Sequence, residues 1–161
     1  MFLPKFIFRK LTDISPDFLH KHGVELLLMD FDNTMLPYTT DIPSQELLAW
    51  IRSMERDGIG LCIVSNSKRS RVPEFSRKYK VPCVTHAKKP GRGGILRAVG
   101  TLEKQRVALV GDQIFTDVLG ANRAGVLSLL VKPIDNHNFW LKLRHVAEQP
   151  FILLSEKRRI T

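Results

Sequence analysis

The run Leu26-Leu27-Leu28-Met29 passes directly into Asp30-Phe31-Asp32-Asn33-Thr34, an apolar segment that stops on two carboxylates one residue apart. Such a run predicts a strand buried on both faces, the environment of parallel sheets. Asp30 and Asp32 then stand at its C-terminal edge, where open α/β sheets place ligands. If the strand persists to Asp32, pleat alternation turns both carboxylates the same way. Two like charges so close are costly without a cation, a shared proton or hydrogen-bond donors. The spacing points to a metal or to acid/base chemistry; the plainer alternative is a strand end running into an Asp/Asn turn.

Further apolar runs alternate with helical patterns. Strands are predicted over 59–64, 82–85, 107–110 and 126–131, and helices from Pro43 to about Gly58, over 72–79, 93–99, beyond Phe115 and over 139–147. Ser15-Pro16-Asp17 is an N-cap and first-turn pattern for a short helix before the first core strand. This alternation predicts a doubly wound, Rossmann-like α/β fold with about five parallel core strands. The 161 residues suit a single domain, with 1–23 as a lead-in segment. No apolar stretch is long enough to span a bilayer.

Met1 to Lys10 mixes bulky apolar groups with cations, while Pro4 and the missing small-residue cleavage pattern argue against a secretory signal. Two readings stay open for it, a surface-active flap and a segment packed against the domain. Cys62 and Cys83 lack metal or redox spacing and read as small core residues of a reduced, cytoplasmic protein. The five histidines show no ligand spacing, and Gly91-Arg92-Gly93-Gly94 lacks the lysine arrangement of a nucleotide-binding loop.

The formal net charge is +9, and its placement is uneven. Between Lys68 and Arg97 lie ten basic residues against Glu74 alone, so this segment carries the whole excess. Such a field favours an anionic partner: a phosphorylated substrate, an anionic membrane surface or a nucleic acid. The plainer alternative is a solvated basic helix face. No aromatic stacking array accompanies the cations, so nucleic acid is the less favoured partner.

Parallel crossovers gather the polar strand ends at one edge: Asp30, Asp32 and Thr34, then Ser65 and Asn66, Lys89, and Asp112 with Asp117. Carboxylates from two strands make a hard-oxygen site of the kind Mg²⁺ uses. Hydroxyl, amide and ammonium donors around it suit the oxygens of a phosphoryl group. Singly, each residue has a plainer reading: Ser65 as a helix cap, Lys89 as one of a basic run with Lys88 as its rival, Asp112 as a turn residue, Asp117 as a surface helix residue.

Four stretches carry a resemblance: Asp30-Phe31-Asp32-Asn33-Thr34, Val64-Ser65-Asn66, Lys88-Lys89-Pro90, and Gly111-Asp112-Gln113-Ile114-Phe115-Thr116-Asp117-Val118-Leu119-Gly120 followed by Asn122-Arg123. With these the chain resembles phosphatases of the haloacid dehalogenase superfamily, subfamily IIIA, in the compact YqeG-like branch related to phosphatidylglycerophosphate phosphatases. The resemblance implies Asp30 as nucleophile and Asp32 as acid and base. It implies Mg²⁺ held by Asp30, Asp112 and the main-chain carbonyl of Asp32, phosphate contacts from Thr34, Ser65, Asn66 and Lys89, and Asp117 as a supporting acid. Gly91-Arg92-Gly93-Gly94 departs from related sequences after the Lys-Pro step. The intervals 34–43 and 66–89 are too short for a cap domain, so an open site is expected, suited to a large substrate or to an oligomer whose neighbour supplies the lid. With the basic segment and the amphipathic N-terminus, this favours the phosphate monoester of an anionic lipid headgroup, phosphatidylglycerophosphate, met by a protein peripheral to the inner face of the membrane. The alternatives are a phosphatase of soluble sugar or nucleotide phosphates and, outside enzymes, a basic nucleic-acid or membrane-binding module.

Overall fold

The computed structural model describes residues 1–135; the helix expected over 139–147 lies outside the described residues. In chain order the elements are β1 (Phe6–Phe8), α1 (Pro16–Lys21), β2 (Leu26–Met29), α2 (Gln45–Arg56), β3 (Gly60–Val64), α3 (Arg71–Tyr79), β4 (Cys83–Val84), α4 (Arg92–Val99), β5 (Val107–Gly111), α5 (Leu119–Ala124) and β6 (Leu127–Val131). The six strands form one parallel sheet in the order β1-β6-β5-β2-β3-β4.

Pleat alternation divides the core. Leu27, Met29, Leu61, Ile63, Ala108 and Val110 pack with Leu47, Trp50, Ile51 and Met54 of α2 and with Val72 and Phe75 of α3. Leu28, Cys62, Val64, Val107 and Leu109 face the other way, onto Ile95 and Val99 of α4 and Ala121 and Ala124 of α5. Both faces are covered, which is why these strands read as continuous apolar runs. The helices start where the sequence signals them: the Ser15 and Ser44 hydroxyls accept from the N–H groups of Phe18 and Leu47, each at 3.1 Å.

The chain winds from β2 outward through β3 to β4, then crosses back to place β5 on the other side of β2. The crevice between β2 and β5 is thus a topological switch point, the position at which sheets of this kind bind ligands. Among the described residues no cap domain interrupts the sheet edge above it, and no helix is long and apolar enough to cross a membrane.

Two expectations change. The sheet has a sixth strand, because Phe6–Phe8 pairs in parallel with Leu129–Val131. Of the two readings of the N-terminus, the packed one holds: Ile7 and Phe8 are buried, and the Asn122 amide donates to the carbonyls of Met1 and Leu3. Secondly, β2 does not persist to Asp32. The ladder gives its last bond at Asp30, whose N–H donates to Val110 at 2.9 Å. The chain then turns: the N–H groups of Thr34, Met35 and Leu36 all point to the Phe31 carbonyl, and Asn33 adopts a left-handed φ of 67° that asparagine tolerates. Buried Asn33 fixes the turn by exchanging two side-chain hydrogen bonds with the main chain of Asp135.

Candidate active site

An open cavity of about 480 Å³ lies at the C-terminal edge, lined by Asp30, Asp32, Tyr38, Ser65, Asn66, Ser67, Lys89, Gln113, Phe115 and Thr116. Although the strand stops short, the turn after Phe31 still delivers both carboxylates to this space. Asp30 is set by the last rung of the β2–β5 ladder, and Asp32 by a bridge to Leu36.

Lys89 is a buried cation of the site. Its side chain is 1% exposed, and Nζ lies 2.7 Å from Asp30 Oδ1 and 2.7 Å from Asp117 Oδ1. The backbone chooses it over Lys88: His86 and Lys88 adopt positive φ angles of 51° and 56°, and this crooked segment leaves Lys88 exposed while Lys89 turns inward. Asn66 holds the segment in place, its carboxamide accepting from the Lys89 N–H at 2.7 Å and donating to the Lys89 carbonyl at 2.9 Å. The side chain expected to touch phosphate is therefore engaged with the lysine's main chain.

Ser65, 1% exposed, caps no helix; its Oγ accepts from the Ser67 N–H at 3.0 Å, which leaves its own O–H to donate into the cavity. Thr34 differs from expectation. It is buried beneath the carboxylates, its hydroxyl 3.3 Å from both Asp30 Oδ2 and Asp112 Oδ1, and it lines a second cavity rather than this one. It is placed to brace carboxylates and not to meet a phosphate.

Asp117 sits in a π-helical turn, Ile114–Val118, that follows β5. Such turns recur at functional sites because the extra residue re-aims a side chain. Here both carboxylate oxygens are committed, Oδ1 to Lys89 and Oδ2 to the Gln113 N–H at 3.1 Å. The carboxylate fits against the chain only because residue 111 is glycine: a Cβ there would lie 2.2 Å from Asp117 Cγ.

Ligand atoms of Asp30, Asp112 and Asp117 lie within 4.8 Å of one another. Burial, then the charges of Asp30 and Asp117, push the Asp112 carboxyl well above its usual range. Burial also pushes Asp117 up to about 6 against the opposing pull of Lys89. Three carboxylates facing one ammonium leave uncompensated negative charge in a buried all-oxygen donor set, and that fits a hard divalent cation. Asp30, Asp112 and Asp117 are the side chains whose oxygens come close enough together to hold it.

The Asp32 carboxyl is raised by burial, against the lowering effect of Arg71. Arg71 donates to Asp32 Oδ1 at 2.9 Å. The sequence offered it only as one of ten basic residues, and nothing in its local pattern marked it out. Tyr38, Phe115 and Thr116 were also not singled out, because they reach the cavity from turns whose paths depend on the fold. Cys62 is buried in the core, its thiol pushed up to about 11 by burial, and stands apart from this chemistry.

The family described as mitochondrial PGP phosphatase matches residues 1–134. A curated Bacillus subtilis protein, described as "Probable phosphatase YqeG", is 32% identical over 160 residues, 98% of this chain and 93% of that protein. Two solved structures share the fold at 16% identity. The 3-deoxy-D-manno-octulosonate 8-phosphate phosphatase of Yersinia pestis matches with a TM-score of 0.54 over 88% of each chain. A HAD-family hydrolase from Streptomyces avermitilis matches with 0.55 over 73% of this chain and 69% of its own.

Proposed function

The chain belongs to the family described as mitochondrial PGP phosphatase, as a YqeG-like phosphatase of the haloacid dehalogenase superfamily, and on that premise we propose an Mg²⁺-dependent phosphate monoester hydrolase acting on phosphatidylglycerophosphate. The observation that carries the reading is one cavity holding two neighbouring carboxylates in unlike surroundings. Asp30 rests against the Lys89 ammonium, while Asp32 is paired with Arg71 and half-buried, and its burial outweighs the arginine and raises its carboxyl.

An oxygen of Asp30 attacks phosphorus, the ester P–O bond breaks, and Asp32 gives its proton to the departing oxygen. Asp32, now a carboxylate, takes a proton from the water that attacks the aspartyl-phosphate, releasing phosphate and restoring Asp30. Ser65 donates its O–H to a phosphoryl oxygen, Lys89 offsets the negative charge of nucleophile and phosphate, and Asp117 orients Lys89. Asn66 serves through its main chain and by fixing the lysine segment, and Thr34 by bracing Asp30 and Asp112. Asp30, Asp112 and the main-chain carbonyl of Asp32 would hold Mg²⁺, which when bound would supply Lewis-acid stabilisation to the phosphoryl oxygens.

Three features support a lipid substrate. The site is open. Its walls carry exposed Tyr38 and Phe115, with Phe2 in edge-on contact with Phe115, and exposed Ile42 and Ile134 line the second cavity, of about 600 Å³, with Arg9, Lys10 and Lys132. Eight of the ten basic residues between Lys68 and Arg97 are exposed, and the other two, Arg71 and Lys89, are the buried cations of the site. Apolar side chains beside cations suit the surface of an anionic bilayer. On this reading the protein works from the cytoplasm, peripheral at the inner face of the membrane.

The test compares phosphatidylglycerophosphate in anionic vesicles with soluble sugar and nucleotide phosphates, with and without Mg²⁺. The expected result is Mg²⁺-dependent turnover that favours the lipid and vanishes in Asp30→Asn. Equal or better turnover of a small sugar phosphate rejects the lipid assignment, and undiminished activity of Asp30→Asn rejects the nucleophile.

A further inference from the structure

Arg71 stands at the start of α3 with its side chain 8% exposed, and each of its contacts falls on one short stretch of chain. Nη1 donates to Asp32 Oδ1 at 2.9 Å, and Nη2 donates to the carbonyls of Pro37 at 3.0 Å and Thr40 at 2.8 Å. Nε forms an ion pair with Asp41 Oδ1 at 2.9 Å, outside hydrogen-bond geometry, and the guanidinium carbon sits 5.1 Å from the centre of the Phe31 ring. A buried guanidinium is costly unless its fork of donors is met, and only a planar, multidentate cation can span these partners at once.

The two buried cations divide the site between them. Lys89 contacts Asp30 and Asp117; Arg71 contacts Asp32 and the loop 37–41 that brings Tyr38 to the cavity wall. Asp32 follows the end of β2 and has only a single backbone bridge, to Leu36, so the contact that holds its carboxylate comes from the arginine. By holding Oδ1 it leaves Oδ2 to carry the proton.

We infer that Arg71 is the positioning residue for proton delivery to the leaving group, fixing the Asp32 carboxyl on the leaving-group side of the cavity without serving the attack by Asp30. The inference rests on the reading of Asp32 as the acid. As the P–O bond to the leaving group breaks, its electron pair goes to the ester oxygen, which takes the Asp32 proton. An alkoxide needs that proton; a dinitrophenolate does not.

The test measures kcat/KM, which covers the steps up to the phosphoenzyme, for glycerol 3-phosphate and for 2,4-dinitrophenyl phosphate in Mg²⁺-loaded protein. In Arg71→Met, kcat/KM for the glycerol ester falls by about 100-fold, the low end of a general-acid contribution. For the dinitrophenyl ester it changes less than about threefold. Arg71→Lys keeps a cation that reaches Asp32 or the loop carbonyls but not both. It gives the same selectivity at smaller size and serves if the methionine variant does not fold. A folded Arg71 variant in which both esters fall equally overturns the inference, since that is what a merely structural role produces. Asp32→Asn on the same two esters separates the premises. If it too lacks leaving-group dependence, the acid assignment fails; if it shows the dependence while the Arg71 variants do not, the arginine's role alone fails.

Discussion

Replacing Lys89 with methionine removes an ammonium and little else. The stem keeps nearly the same volume, and a volume-conserving swap by itself costs less than about 1.5 kcal/mol. What is lost is, among the described residues, the only counter-charge placed within 2.7 Å of Asp30 and Asp117, at a side chain 1% exposed, beside three carboxylates within 4.8 Å of one another. Removing one partner of a buried pair destabilises by about 3–5 kcal/mol, because the remaining charge stays buried without compensation. At roughly 2–4 °C per kcal/mol for a chain of this size, the metal-free variant should melt about 10 °C below the parent at neutral pH. The gap should narrow towards pH 4, where the carboxylates take up protons. Mg²⁺ should raise the melting temperature of Lys89→Met more than that of the parent, since binding to the native state stabilises it and the emptier cluster attracts the cation more strongly. Turnover should fall at least about 100-fold even with the metal present, the effect of losing one preorganised donor to developing phosphoryl charge. Scanning calorimetry at several pH values with and without Mg²⁺ reads the first set, and steady-state hydrolysis the last. Equal melting temperatures at neutral pH would refute the argument that the ammonium balances this cluster.

Three further outcomes follow from the geometry. Gly111→Ala places a methyl 2.2 Å from the Asp117 carboxylate; it should cost about 1–3 kcal/mol in urea unfolding and lower turnover through displaced Lys89, whereas parental activity would contradict the close approach. Asp117, at about 6 when folded against 3.8 otherwise, binds its proton more tightly in the native state. That contribution to stability is present below about pH 4 and lost as pH rises through about 6, so the melting-temperature gain from Mg²⁺ should widen across that window; a constant gain would count against the cluster as its site. Phe8→Ala removes a buried ring that packs edge-on against Phe18 at 5.0 Å between centres, and thermal unfolding should show a loss of about 3–4 kcal/mol, where a detached flap would show almost none.

The central strands were readable because burial on both faces leaves an unbroken apolar signature, and Leu26–Met29 and Val107–Gly111 each occupy the middle of the sheet. Phe6–Phe8 was not, since three residues flanked by Lys5, Arg9 and Lys10 are too few to show a period, and their pairing with Leu129–Val131 joins distant parts of the chain. Asp30, Asp32, Ser65, Lys89, Asp112 and Asp117 were named from strand ends and motif order, and the fold brings them to the same edge. Thr34 was named as a phosphate contact from its place after Asp32, while its position beneath the carboxylates depends on the turn at Asn33, which no local pattern announces. Arg71 stayed hidden for an electrostatic reason: a cation in a basic run looks solvated until the fold shows an acid facing it.

The switch point between β2 and β5 also orders assembly in time. Asp30 and Asp32 follow directly on β2, but Lys89 meets Asp30 from 59 positions along the chain, and Asp112 meets Thr34 from 78. A nascent chain that has zipped only β2, β3 and β4 holds its carboxylates without the acidic half of the cation site. Closing β5 onto β2 completes the constellation and forfeits the entropy of a long loop in the same step. Cut in the connection between α4 and β5, the two pieces would each be inert, and the return of phosphate release on mixing them would clock the joining of β5 to β2 together with that of β6 to β1.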